Sequence, residues 1–218
     1  MTQLCLGGVE LALELSTPAN SIPPRALTKA RQSDGIALVL DLLSLEEAQI
    51  ILTQPVIWGP VTAHFRQATP PQSLVSHVHL VPFAGEDCVL IETVESGWEM
   101  PGGTLDENEP VERGLQRELQ EEAGASVESF EIFGSWECVT SDEKPYRPHI
   151  PHPRFHIALG WAEVVLTGSP QTGEGMETVL EVAKFPLDAA IDTFVQNGKP
   201  AFAALYLLAA ELRKNTKS

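Results

Sequence analysis

The chain has 218 residues, 43% of them hydrophobic and 20% charged, values at which a sizeable core is expected and wholesale disorder is not. Its 30 Asp and Glu against 14 Lys and Arg give a net charge of −16, which repels phosphate backbones and anionic lipid, so nucleic-acid and membrane-surface binding are excluded as the main activity. Cys5, Cys88 and Cys138 are odd in number and far apart, which excludes a disulfide framework and a zinc ribbon.

From the N-terminus, Val9, Leu11, Leu13 and Leu15 alternate with Glu10, Ala12 and Glu14, the period of a half-buried strand. The first basic residue is Arg25, and Glu10 and Glu14 interrupt the apolar run, unlike a signal peptide. No apolar run is long enough to span a bilayer, so a soluble, cytoplasmic chain is expected. PPRALTKARQ (23–32) reads as a short helix with proline at its start, and GIALVLDLL (35–43) as a buried strand. SLEEAQIILTQ then reads as a helix, with Ser44 as N-cap and Glu47 as its capping-box partner. PVIWGPVTAHF reads as a strand broken at Gly59-Pro60, and QATPPQS (67–73) as a linker. The expected organisation is a small α/β appendage at 1–70, serving dimer contacts or covering a substrate, and a main domain at 74–218.

Past the linker, LVSHVHLVPF and DCVLIET suggest a hairpin through Ala84-Gly85-Glu86. WEMPGG ends in a loop, and 110–123 reads as a helix closed by Gly124. ESFEIFGSWECV, RFHIALGWAEVVL and TVLEVAKFPL are strands, the last two separated by the turn-rich GSPQTGEG. LDAAIDTFVQNG is a helix ended by Gly198. PAFAALYLLAAELRK is a second, apolar helix with Arg213 and Lys214 at the end where its dipole favours cations.

The end of the helix at 110–123 is electrostatically odd. Glu118, Glu121 and Glu122 share one face within about a turn, at the negative pole of the dipole. Arg117 stands four residues before Glu121 and can pair with it, but one arginine does not balance three glutamates. Three carboxylates suit a hard divalent cation such as magnesium; taken alone, the cluster is more often a solvated acidic face.

The surrounding sequence decides between these. GTLDENEPVERGLQRELQEEAGA runs from Gly103 through Glu109, Arg117, Glu118, Glu121, Glu122 and Gly124. In residue types and spacing it resembles the Nudix box, the signature of the Nudix hydrolases; Ala125 departs from it, standing where the family usually has a larger aliphatic residue. The resemblance implies a Nudix-type α/β/α sandwich with a mixed sheet. It also implies Glu118, Glu121 and Glu122 as ligands of Mg2+ or Mn2+, with the backbone carbonyl of Gly102 as a further ligand. Glu109 and Arg117 would pair and brace the loop against the helix. The implied reaction is attack of a metal-activated water on phosphorus, releasing a nucleoside mono- or diphosphate. The base would be a box glutamate, or Glu174 or Glu177 in the later loop, residues that otherwise read as a solvated turn.

Other residues carry less. Gly114, mid-helix, implies a close backbone approach to the sheet. Trp98 is a buried aromatic or a base-stacking surface. His149, His152 and His156 lie among prolines with no shared face, so they read as loop histidines, and Arg147 and Arg154 beside them as phosphate or ribose contacts. His77 and His79 alternate on one strand face and read as structural. Subfamily marks mostly fail: the positions where ADP-ribose and dinucleoside polyphosphate enzymes carry a proline or tyrosine fall near Thr140 and Ser141, and Pro145 and Tyr146 lie a few residues too late. The substrate class therefore stays broad, from nucleotide sugars such as ADP-ribose to dinucleotides and nucleoside triphosphates. A non-catalytic nucleotide sensor and an acidic interaction module are the alternatives.

Overall fold

The computed structural model describes residues 43–171 and 178–216. The strand expected at 9–15, the helix at 23–32, nearly all of the strand at 35–43, and Glu174 and Glu177 lie outside the described residues.

Helix α1 (Leu45–Thr53) begins at Ser44, whose hydroxyl accepts from Glu47 N–H while the Glu47 carboxylate accepts from Ser44 N–H, a complete capping box. The expected broken strand is a hairpin. Gly59 takes φ +55°, which glycine adopts without strain, so β1 (Val56–Trp58) folds back antiparallel on β2 (Val61–Arg66). A 3-10 turn at Gln72–Leu74 leads into β3 (Val75–Ala84), which turns through Gly85 into β4 (Asp87–Thr93). Two three-residue strands follow, β5 (Gly97–Glu99) and, where the stretch was expected to end in a loop, β6 (Gly102–Thr104). Then come α2 (Val111–Ala123), the long β7 (Ala125–Thr140) and β8 (Arg154–Leu166), β9 (Val179–Phe185), α3 (Leu187–Gln196) and α4 (Pro200–Thr216).

The nine strands among the described residues form one mixed sheet in the order β1-β2-β7-β8-β3-β4-β5, with β6 added to β3 and β9 to β4. β3 and β8 run parallel and the other pairs are antiparallel. Every residue of β3 is buried, as expected of a strand covered on both faces. Val81 and Phe83 join Leu205, Tyr206 and Phe194 in the core under α3 and α4, whereas Leu80 joins Leu115 and Leu119 under α2. β4 splits likewise, Cys88 and Leu90 to one side and Val89 and Ile91 to the other. This is the expected α/β/α sandwich.

The linker at 67–73 does not separate two sheets. β2 pairs with β7 from Val61 to Arg66, and Ala48 and Leu52 of α1 share the α4 core. The described part of the segment before residue 70 is thus built into the main sheet.

Candidate active site

The box segment forms β6, a loop and α2. Pro110 precedes the helix, and Gly124 closes it in the left-handed conformation, φ +58°. The carbonyls at this negative pole are not left to solvent: Glu121 O accepts from Gln171 N–H at 2.7 Å, and Gly124 O from Thr167 and Gly168 N–H.

Arg117 organises the acidic face. Its Nε and Nη2 donate to the two carboxylate oxygens of Glu109 at 3.0 and 2.8 Å, a bidentate fork. Nη2 also donates to Thr104 O at 3.0 Å, which ties α2 to β6. Nη1 is shared between Glu118 Oε1 at 2.8 Å and Glu121 Oε2 at 3.1 Å. The fork holds the Glu109 carboxyl below its ordinary range, and the surrounding carboxylates raise Arg117 further. Glu118 behaves oppositely: burial outweighs its contact with Arg117 and lifts its pKa from 4.5 to about 7.

Glycines bring the backbone against these side chains. A Cβ on Gly103 would lie 2.4 Å from Glu118 Oε1, so a side chain there would displace the carboxylate. Gly102 N–H donates to Glu122 Oε2 at 2.8 Å. Gly114 makes its close approach to the loop rather than the sheet, since its Cβ would meet Leu105 Cδ2 at 2.2 Å.

The other candidates separate. His149 Nε2 donates to Leu105 O at 2.9 Å, His156 Nδ1 pairs with Ser135 Oγ at 3.1 Å, and His152 lines a cavity. Arg147 stacks over Tyr146 at 5.5 Å; the His77 imidazole is depressed chiefly by burial, then by His79 and Arg147. Arg154 is exposed at the start of β8, with Glu137 nearby. Trp98 is half-buried, edge-on to Phe185 at 4.9 Å.

Sequence reasoning missed the cavity. Its walls include Pro60 and Val61 from the β1–β2 hairpin, His77 from β3, Phe155 from β8, and Ile150 and His152 from the connection between β7 and β8. Gly103 faces Glu118, while its neighbour Thr104 lies opposite His77 in the ladder.

A family model described as the NUDIX domain matches residues 70–205. A MutT-like protein of Streptomyces ambofaciens is 36% identical over 73 residues, 33% of this chain and 47% of that protein, so the match spans about half the length of that relative. Among solved structures, a pyrophosphohydrolase of Bacillus subtilis is similar at 21% identity and TM-score 0.45, over 57% of this chain and 72% of the other. A NUDIX hydrolase from Nitrosomonas europaea is similar at 18% identity and TM-score 0.45, over 66% and 90%.

Proposed function

The chain belongs to the NUDIX family, and on that premise we propose that it hydrolyses the diphosphate linkage of a nucleoside diphosphate derivative with the help of Mg2+ or Mn2+. The substrate class is a nucleotide sugar such as ADP-ribose, a dinucleotide or a nucleoside triphosphate. The observation that carries this reading is the acidic end of α2 closed against bare glycine backbone, with Glu118 buried beside Gly103 and Glu122 bonded to Gly102 N–H.

The donor chemistry suits a hard dication. Glu118, Glu121 and Glu122 offer carboxylate oxygens, and the burial that raises the Glu118 pKa is a cost of ionisation that a bound cation would offset. Among the described residues no three acidic, histidine or cysteine side chains already converge on one point. The obstacle is local: Arg117 Nη1 occupies Glu118 and Glu121 together, while Nε and Nη2 hold Glu109 independently. Nη1 can release its two carboxylates without losing the fork. The holders are then Glu118, Glu121, Glu122 and the Gly102 carbonyl. A cation bound there lowers the pKa of water and neutralises charge on the phosphoryl oxygens.

The remaining work falls to the protein. Glu109 and Arg117 fix α2 to β6, and so hold the carboxylates relative to the glycine backbone. Water adds across the P–O–P bridge: one phosphorus gains the hydroxyl, the other leaves with the bridging oxygen, and a carboxylate takes the proton. The base is a box glutamate, or Glu174 or Glu177. Arg147, stacked on Tyr146 of the cavity wall, is the better placed of the two arginines to meet a phosphate or ribose. Of the two roles expected for residues 1–70, substrate cover gains support from Pro60 and Val61 on the cavity wall. No helix among the described residues is long and apolar enough to cross a membrane.

The test is incubation with a panel of nucleotide sugars, dinucleotides and nucleoside triphosphates in Mg2+ or in EDTA, with released nucleotide resolved by anion exchange. Release is expected only with the cation, and Glu118→Gln and Glu122→Gln should lower it by about a hundredfold or more. Turnover that survives EDTA or both substitutions would remove the proposal.

A further inference from the structure

Helix α4 is fastened to the sheet by a buried cation at each end. Near its C-terminus, Arg213 donates to both carboxylate oxygens of Glu163 and to Gly85 O. Just before its start, Lys199 reaches the strand segment that follows β4. The two are alike in burial, 7% and 6% exposed, and differ in what they hold. Gly85 and Glu163 lie at the β3–β4 turn and in β8, whereas Lys199 grips the stretch that leads to Gly102.

The backbone fixes where Lys199 stands. Its N–H donates to Phe194 O at 2.8 Å, closing α3, and its carbonyl accepts from Phe202 N–H at 3.0 Å, opening α4. The ammonium has three protons, and they go to Ser96 O at 2.9 Å, Trp98 O at 2.7 Å and the Glu99 carboxylate. Carbonyls two residues apart point to the same side of an extended chain, so one nitrogen takes both. Only Met100 and Pro101 stand between Glu99 and Gly102. Met100 is buried in the core under α3 and α4, and Pro101 O accepts from Leu80 N–H at 2.9 Å. The proline ring also locks its own φ. Little conformational freedom is left between the ammonium and Gly102, whose N–H holds Glu122.

We infer that Lys199 is a positioning residue for the hydrolysis proposed above. Through Ser96, Trp98 and Glu99 it sets the place of the Gly102 backbone, and with it the Glu122 carboxylate and the Gly102 carbonyl that would hold the cation. The inference rests on the hydrolytic reading for the cation and on the Lys199 contacts for the placement of Gly102. It ties the helices on one face of the sheet to the acidic helix on the other. Arg213 has no such path to Gly102 and is the matched control.

Lys199→Met and Arg213→Met each remove a buried cation from beside a carboxylate, a loss of the same kind at either end of α4. Amide exchange of the full chain in EDTA, read by NMR, follows the Gly102 N–H without any metal. In Lys199→Met it should exchange about tenfold faster relative to the β8 amides, and in Arg213→Met the ratio should stay within about twofold of the unaltered chain. Mn2+ titration followed by electron paramagnetic resonance should show binding weakened by about tenfold in Lys199→Met and by less than about twofold in Arg213→Met. Lys199→Arg keeps the charge but spreads its donors over a planar fork, and should fall between in both readouts. Should Lys199→Met fail to fold, Lys199→Arg takes its place in the comparison. A Gly102 ratio unchanged by the Lys199 substitution, or changed equally by Arg213→Met, would overturn the inference, as would equal Mn2+ affinities in the two variants. An unaltered chain that takes up no Mn2+ removes the cation reading and leaves the exchange ratios to decide the role of Lys199. A chain that binds the ion and hydrolyses its substrate, yet keeps its ratio in the variant, loses only Lys199.

Discussion

Replacing Glu118 by glutamine removes a buried charge and keeps the shape of the side chain. Burial raises the Glu118 pKa from 4.5 to about 7 in the folded protein. Between those values the folded state binds more protons than the unfolded state, so stability falls as pH rises, and the loss is complete above the folded pKa. At 1.36 kcal/mol per unit, the cost of ionising Glu118 in the fold is about 3 kcal/mol. Glutamine cannot titrate and stands in for the protonated acid at every pH. Urea denaturation of both proteins in EDTA, at pH 4.5 and pH 8, isolates the effect. The stability difference should move toward the glutamine variant by about 3 kcal/mol across that range. In a melting experiment this is roughly 6–12 °C for a chain of this size. A difference that stays constant within about 0.5 kcal/mol would refute the claim that the acidic face carries an uncompensated charge.

Gly103→Ala places a Cβ 2.4 Å from Glu118 Oε1, and the displaced carboxylate should cost roughly a hundredfold in kcat/KM while urea denaturation shows the chain still folded. Arg117→Lys loses the fork onto Glu109 and the bond to Thr104 O, which should destabilise by about 2–3 kcal/mol in urea. Gly124→Ala forces a side chain into φ +58° and within 2.6 Å of Gly168 O, with an expected loss of about 1–3 kcal/mol by thermal denaturation. Ser44→Ala breaks the α1 capping box and should cost about 1 kcal/mol, leaving kcat/KM unchanged.

What could be read from sequence follows the range of the forces involved. The capping box at Ser44 and Glu47, the Gly124 stop and the extent of β8 are set by neighbouring residues, and they appear where local chemistry puts them. β5 and β6, three residues each, have no periodicity to read; they are strands because β4 and β3 offer free edges. The parallel pairing of β3 with β8 joins residues about 80 positions apart and leaves no local mark. The proline-rich linker signalled a boundary, yet the residues before it contribute β2 to the same sheet. In the site, spacing along one helix placed Glu118, Glu121, Glu122 and Arg117 together. Glu118's raised pKa is a property of burial beside β6, which no local pattern marks. His149 and His152 do lie in the connection between β7 and β8 and go to Leu105 and to the cavity, but His156, expected in a loop, is in β8 and goes to Ser135, which no spacing rule anticipates.

Mn2+ uptake followed by electron paramagnetic resonance tests the central claim most directly, because it needs no substrate. The unaltered chain should bind the ion saturably, and Glu118→Gln and Glu122→Gln should each weaken that binding by about tenfold or more. Free-ion signal that never diminishes, or uptake identical in all three proteins, would contradict the account.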